Sequence, residues 1–453
     1  MEDSNLYIQP AEYGLLTDLY QLTMGACYVG EGLDQRQASF ELFARRLPEG
    51  FGYLIAMGLE QALSYLDSLC FTPAQITALQ DTDIFHQAPA QFWQQLHDFR
   101  FTGDVWAVPE GSVVFANEPL LRVEAPLWQA QLVETYLLNT LNYQTLIATR
   151  AARIRDVAGP EAQLLEFGTR RAFSPQAALW AARAAIAAGF DATSNVLAAL
   201  KLGQKPAGTM AHALVMALDA TTGSEDQAFQ AFHRYFPGAP LLIDTYDSIT
   251  AAQTLAQQVQ QEGLKLSGVR LDSGDLVQQS QTIRQLLPGV PIFASGDLDE
   301  HRIAQLKQDG AQLDSFGFGT KLVTGTPVNG VYKLVDIDGI PVMKEAAGKI
   351  TYPGRKQIFR TIRRGQIQSD RLGLSTEIAH PDEQSLLQPV MQNGQRTQPA
   401  PTLAQIATST AQSVASLPTP SRDITIHQPL QAEISADLHN LTETTRRTPI
   451  ATP

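Results

Sequence analysis

The side chains best suited to chemistry are gathered in a few short loops. Gly208-Thr209-Met210-Ala211-His212 puts one histidine in a Gly/Thr turn just before an apolar helical run. Upstream stands Glu166-Phe167-Gly168-Thr169-Arg170-Arg171. Downstream come Asp244-Thr245-Tyr246-Asp247, Arg270-Leu271-Asp272-Ser273-Gly274-Asp275, Ser295-Gly296-Asp297 and Phe316-Gly317-Phe318-Gly319-Thr320. The neutral nitrogen of an imidazole is nucleophilic near pH 7, so His212 can accept a phosphoryl group. Arg170 and Arg270 present planar forks that match a carboxylate or a phosphate. Asp272, Asp275 and Asp244 supply negative charge for a cationic transition state. Gly296, Gly317 and Gly319, with Thr320, let backbone N–H groups approach an anion at a helix start. Together these are the parts needed to grip a phosphorylated sugar and a small acid, and they point to an enzyme.

Each residue also has a plainer reading. Aspartates at strand-to-helix turns cap the helices that follow, and a Gly-x-Gly-Thr run taken alone is an ordinary tight turn. Arg270 can pair with Asp272 for structure only, and Asp191, Thr193, Ser194 and Asn195 can form a helix-start capping group. Lys321 is either a phosphate contact or a solvated lysine. His86, His97, His233, His301, His380, His427 and His439 lack spaced partners and read as surface or packing residues. No Walker-type Gly-x-x-x-x-Gly-Lys-Ser/Thr loop is present, so a nucleoside triphosphate would need another kind of site, such as that of the sugar donor.

Composition narrows the partners. The 453 residues are 44% hydrophobic, enough for a large core and two or more domains. Lys plus Arg is 33 against 46 for Asp plus Glu, a formal charge of 33 − 46 = −13. This disfavours non-specific binding to nucleic acid or to an anionic membrane, and leaves local arginines to hold any anion. Cys27 and Cys70 are too few for a disulfide framework or a thiolate zinc site and suit a reducing cytosol, so a metal would be oxygen-bound. Met1-Glu2-Asp3-Ser4-Asn5 begins acidic, without a secretory pattern, which predicts a cytoplasmic protein. The alanine-rich run from Ala177 to Phe190 is interrupted by Arg183 and is shorter than the ~20 apolar residues a membrane span needs.

The elements that must position these loops fall into regions. Residues 1–150 mix a helical period (Leu15, Leu19, Leu22, Ala26) with β-like runs at Ala38–Phe43 and Gly111–Phe115, an α+β domain. Residues 151–345 alternate short apolar runs ending in Gly or Asp with helical stretches: Gln163–Phe167, Pro240–Asp244, Gly268–Asp272, Pro291–Ser295 and Leu313–Gly317. Repeated β-loop-α units predict a parallel sheet, closed into an α/β barrel, with the functional loops at the strands' C-terminal ends. From Gly330 a hairpin turning at Asp338-Gly339 begins a return to the first domain, continued by residues 346–390. Residues 391–453, rich in Gln, Thr, Ser and Pro, predict a partly mobile tail.

Tyr13-Gly14-Leu15-Leu16-Thr17-Asp18-Leu19-Tyr20-Gln21-Leu22-Thr23-Met24, followed in order by the Glu166, Gly208 and Arg270 motifs, closely resembles the nicotinate phosphoribosyltransferases over roughly residues 10 to 360. The resemblance implies the fold of the type II phosphoribosyltransferases, an irregular (β/α) barrel with an N-terminal α+β domain partly completed by a C-terminal segment. It implies a homodimer with shared active sites, and small-molecule substrates only. The implied reaction joins nicotinate and phosphoribosyl pyrophosphate to give nicotinate mononucleotide and pyrophosphate, with coupled ATP hydrolysis and Mg²⁺, in NAD biosynthesis. By the same resemblance His212 is phosphorylated by ATP, and Asp272 contacts the ribose or a Mg²⁺-bound water. The Gly296 and Gly317-to-Thr320 loops hold the 5-phosphate. Phe167 stacks on nicotinate beside Arg170, with Tyr20 of a partner subunit on the opposite face. In nicotinamide phosphoribosyltransferases an acidic residue matches Ser194; a neutral serine removes repulsion of a carboxylate. A transferase for nicotinamide or quinolinate, and a non-catalytic nucleotide-binding barrel, are the alternatives.

Overall fold

The structure is a computed structural model that describes residues 6, 8–346 and 349–447. The opening pentapeptide and the last six residues of the expected tail lie outside the described residues. The chain separates into two compact units, one of residues 1–146 with 327–453 and the other of residues 147–326.

The first unit is built on a seven-stranded antiparallel sheet. Gln37–Ala44 lies between Pro119–Pro126 and Gly330–Ile337. The expected hairpin forms: Ile337 pairs with Ile340, and Asp338 (φ 52°) and Gly339 (φ 79°) supply the two positive φ angles of a two-residue turn. Because Gly330–Ile337 is a strand of this sheet, the barrel unit ends at Thr326 rather than at 345. Phe40 stacks on Tyr332 at 4.9 Å, and the Tyr332 hydroxyl donates to the Ala130 carbonyl.

Much of the segment expected to be a partly mobile tail is helical. Leu403–Ala415 and Ala436–Arg447 are helices, the first opened by a Thr402/Gln405 capping box. Its buried stripe is Ile406, Thr410 and Val414, four residues apart. Thr410 sits in that stripe because its hydroxyl donates to the Ile406 carbonyl within the helix, so a polar letter occupies an apolar position.

The second unit holds six parallel strands: β1 (Gln163–Glu166), β2 (Ala192–Thr193), β3 (Leu241–Leu242), β4 (Val269–Leu271), β5 (Ile292–Ala294) and β6 (Ser315–Phe318). Their order is β2-β1-β6-β5-β4-β3. The first strand therefore pairs with the last, Phe316 opposite Leu164, which curls the sheet into a ring. Among the described residues no ladder joins β2 to β3, and the chain between them forms helices Val196–Lys201, His212–Thr222 and Glu225–Tyr235. This is the irregular barrel expected from the sequence. Leu164, Leu242, Val269, Leu271, Ile292 and Phe318 are fully buried, as strands covered on both faces require. Side-chain caps open the helices after the strands: Asn195 accepts from Ala198 N–H, Asp247 from Thr250 N–H and Asp299 from Arg302 N–H. Among the described residues no helix is long and apolar enough to cross a membrane.

Candidate active site

At the C-terminal ends of these strands lies a cavity of about 1020 Å³. Phe167, Arg170, Ser194, Arg270, Asp272, Gly296, Gly317, Gly319 and Thr320 all line it, from loops that span more than 150 residues of sequence. Arg171, Gly208 to Ala211 and Asp297 complete much of the wall.

Arg270 ties three loops together. Its Nε donates to Ser295 Oγ at 2.9 Å, its Nη1 to Thr209 Oγ1 at 2.8 Å and the Met210 carbonyl at 3.0 Å, and its Nη2 to Asp272 Oδ1 at 3.0 Å. One Nη2–H is left uncommitted among the described residues. The guanidinium carbon also lies 5.8 Å from the centre of the Phe167 ring, which contacts Phe293 at 5.7 Å. The private ion pair considered from sequence is thus one bond of a larger brace.

Asp272 accepts a second bond from Ser295 Oγ at 2.5 Å. Burial pushes its carboxyl upward, but the Ser295 hydroxyl and the Arg270 guanidinium outweigh that and hold it below the usual carboxylate range. Its Oδ2 has no hydrogen-bond partner among the described residues. Gly296 (φ 95°) makes the loop possible: a Cβ there would run into the Asp272 carbonyl. A Cβ on Gly317 would meet the Phe167 ring at 2.8 Å, so that glycine sets how closely the ring packs.

Glu166, the first residue of the Glu166-to-Arg171 motif and one with no role expected from the sequence, is fully buried. One oxygen accepts from the Gly168 N–H and the other from Thr193 Oγ1 at 2.5 Å, linking the Phe167 loop to the Ser194 loop. Burial raises its carboxyl, opposed by those two donors. Asn195, not Ser194, caps the next helix, and the Ser194 hydroxyl has no partner among the described residues. Arg170 and Arg171 are exposed and likewise have no protein partner among the described residues. They are the open cations of the cavity wall.

Other expected residues lie elsewhere. Asp244 stands behind the wall, its Oδ2 accepting from Asp272 N–H at 2.6 Å, Ser273 N–H at 2.9 Å and Ser273 Oγ at 3.1 Å; its Oδ1 is buried without a partner. Asp275 caps helix Leu276–Leu286 through Val277 and Gln278 N–H, the plainer of its two readings. His212 is the first residue of helix His212–Thr222, and its Nδ1 lies 3.1 Å from Thr245 Oγ1. Lys321 pairs with Asp299 at 3.6 Å. Tyr20 belongs to the first unit, on helix Leu19–Gly30, where burial, then Glu134 and Asp18, push its hydroxyl up to about 12.

The model of the nicotinate phosphoribosyltransferase N-terminal domain matches residues 15–142, and that of the nicotinate phosphoribosyltransferase family matches residues 162–352. The chain is 44% identical over 373 residues to a nicotinate phosphoribosyltransferase of Bacillus subtilis, covering 79% of this chain and 74% of that one. It is 41% identical over 401 residues to one of Mycobacterium tuberculosis, covering 86% and 84%. The crystal structure of human nicotinic acid phosphoribosyltransferase superposes with a TM-score of 0.82 at 31% identity, over 95% of this chain and 99% of that one. Every loop of the cavity lies inside the second matched segment and Tyr20 inside the first, and on these likenesses the chain belongs to the nicotinate phosphoribosyltransferase family.

Proposed function

We propose that this protein joins nicotinate to phosphoribosyl pyrophosphate, releasing nicotinate mononucleotide and pyrophosphate in NAD biosynthesis. The observation that carries the reading is the cavity itself, where an aromatic face, two unpaired arginines, a carboxylate held ionised and two glycine loops meet. The ring nitrogen attacks the anomeric carbon as pyrophosphate departs. Positive charge develops on the ribose, and Asp272, already ionised and fixed, is oriented to stabilise it without reorganising. Arg170 is assigned to the nicotinate carboxylate and Phe167 to its ring, while Gly296, Gly317, Gly319 and Thr320 take the 5-phosphate. Neutral Ser194 favours the acid over the amide.

The finer reading adds ATP as co-substrate, hydrolysed through a phosphohistidine at His212. Phosphorylation favours a state that binds the donor tightly, and hydrolysis releases product. Among the described residues no group of three His, Cys, Asp or Glu side chains could hold a metal ion alone. The free Asp272 Oδ2 in the cavity wall nevertheless suits Mg²⁺, directly or through a water, since that ion keeps several waters and takes one or two carboxylates beside substrate phosphates. Such an ion would neutralise charge on the departing pyrophosphate. The working form is assigned as a cytoplasmic homodimer, with Tyr20 of one protomer covering the base in the other's site.

The test is purified protein with labelled nicotinate, phosphoribosyl pyrophosphate and Mg²⁺, with and without ATP, for the parent and His212→Ala. Mononucleotide formation that ATP enhances in the parent alone supports the whole reading. Product made equally fast without ATP keeps the transferase and removes the coupling. No product from nicotinate, with turnover of nicotinamide or quinolinate instead, reassigns the substrate.

A further inference from the structure

His212 and Thr245 are 33 residues apart in sequence, yet each is fixed by separate contacts. On one side, Arg270 holds the turn before the histidine through Thr209 Oγ1 and the Met210 carbonyl. On the other, Asp247 caps helix Ser248–Glu262 through the Thr250 N–H, and Asp244 accepts the backbone N–H groups of Asp272 and Ser273. Thr245 lies between these two anchored aspartates and is half-buried. The 3.1 Å separation of His212 Nδ1 and Thr245 Oγ1 is therefore set by the frame of the barrel.

A neutral imidazole carries its proton on one nitrogen and its lone pair on the other, and a hydrogen bond at one nitrogen decides which is which. We propose that Thr245 is the positioning residue for the phosphoryl-accepting histidine, its hydroxyl oxygen accepting Nδ1–H so that Nε2 of His212 is the nucleophile. This inference rests on the phosphohistidine reading above. In the step, the Nε2 lone pair forms a bond to the γ-phosphorus of ATP, and the bond from that phosphorus to the bridging oxygen breaks with its electron pair remaining on ADP. The proton on Nδ1 stays in its bond to Thr245, so the ring carries the positive charge that results. No proton has to be removed before attack.

The experiment follows label from [γ-³²P]ATP into the full-length protein in the parent, Thr245→Val, Thr245→Ser and His212→Ala, and assigns the labelled nitrogen by ³¹P NMR. The parent is expected to carry phosphate on Nε2. Thr245→Val keeps the shape and loses the hydroxyl, and is expected to label about tenfold more slowly, the loss of one neutral hydrogen bond, with label divided between the two nitrogens. Thr245→Ser restores both rate and position. Parental label on Nδ1, or Thr245→Val labelling Nε2 alone at the parental rate, overturns the role of Thr245 while leaving the phosphohistidine standing. An unlabelled parent overturns both. The parental nitrogen assignment needs no variant, so the test holds even if Thr245→Val does not fold.

Discussion

Arg270 Nη2 and Asp272 Oδ1 meet at 3.0 Å, and the same oxygen accepts the Ser295 hydroxyl that Arg270 reaches with Nε. The three side chains form a closed triangle. Its consequence is that the orientation of the Asp272 carboxylate depends on the shape of the guanidinium, not only on its charge. The Arg270 side chain is 13% exposed and Asp272 34%, so the pair is shielded enough for geometry to matter.

Arg270→Lys tests that dependence. An ammonium keeps the charge but cannot bond Ser295, Thr209, Met210 and Asp272 at once. We expect kcat/KM for mononucleotide formation to fall at least ~100-fold, about 3 kcal/mol of transition-state stabilisation, with the circular dichroism of the parent retained. A lysine variant within about threefold of the parent would show that charge alone suffices.

Gly296→Ala and Gly208→Ala separate two kinds of glycine in one cavity wall. At Gly296 φ is 95° and a Cβ collides with the Asp272 carbonyl, so the loop must move. Nothing lies within 4 Å of a Cβ at Gly208, and its φ is not positive. The expected result is a loss of ~2 kcal/mol or more in stability for Gly296→Ala, with a raised KM for the ribosyl donor, and a change within ~0.5 kcal/mol for Gly208→Ala. Chemical denaturation of both proteins decides it; equal stabilities would contradict the close approach at Gly296.

What the sequence made legible follows from how locally each signal is encoded. Strand ends were readable because a few apolar residues run directly into Gly or Asp, as at Leu271-Asp272 and Phe316-Gly317, and those loops do converge on the cavity. The division of labour among aspartates was not. Asp272, Asp275 and Asp244 are chemically alike, and only the fold assigns one to the cavity, one to a helix cap and one to the backbone behind the wall. Long-range partners leave no local trace either: Arg270 and Thr209 are 61 residues apart, and Glu166 bonds Thr193 across 27. The C-terminal helix Leu403–Ala415 escaped a compositional reading because Thr410 takes an apolar place in its buried stripe.

Glu225 predicts a pH-dependent stability. It opens helix Glu225–Tyr235, and its Oε1 is buried without a hydrogen-bond partner. Burial first, then Asp219, Asp247 and Asp244, push its carboxyl from 4.5 up to about 7. Since the folded value is the higher one, the native state keeps a proton that the unfolded chain has lost between those two pH values. Stability from this group is full below 4.5, falls as pH rises and is gone above 7. Glu225→Gln cannot ionise, and is expected to exceed the parent by ~1 kcal/mol at pH 8 after allowing for solvent screening of a half-buried group. At pH 4.5 the two should agree. Urea titrations at both pH values measure the difference, and a parent as stable as the variant at pH 8 contradicts it.

Ser194→Asp places charge where the reading of substrate preference depends on its absence. The Ser194 hydroxyl lines the cavity beside Phe167 and has no protein partner among the described residues, so a longer side chain there would face the ligand. A carboxylate close to the nicotinate carboxylate costs Coulomb energy that scales inversely with distance, ~4 kcal/mol for unit charges 4 Å apart at an effective dielectric of 20. Nearby Arg170 and Arg171 offset part of that repulsion. The expected outcome is a rise of about tenfold to a hundredfold in the KM for nicotinate, the range of ~1.4 to 2.7 kcal/mol. The KM for phosphoribosyl pyrophosphate should change much less, because the Gly296 and Gly317-to-Thr320 loops proposed for its phosphate are separate in the chain from Ser194. Nicotinamide, which carries no charge, should be rejected less by the variant than nicotinate is, and competition between the two substrates measures the ratio directly. An unchanged ratio would place the carboxylate away from Ser194 and move acid selectivity to the arginines alone.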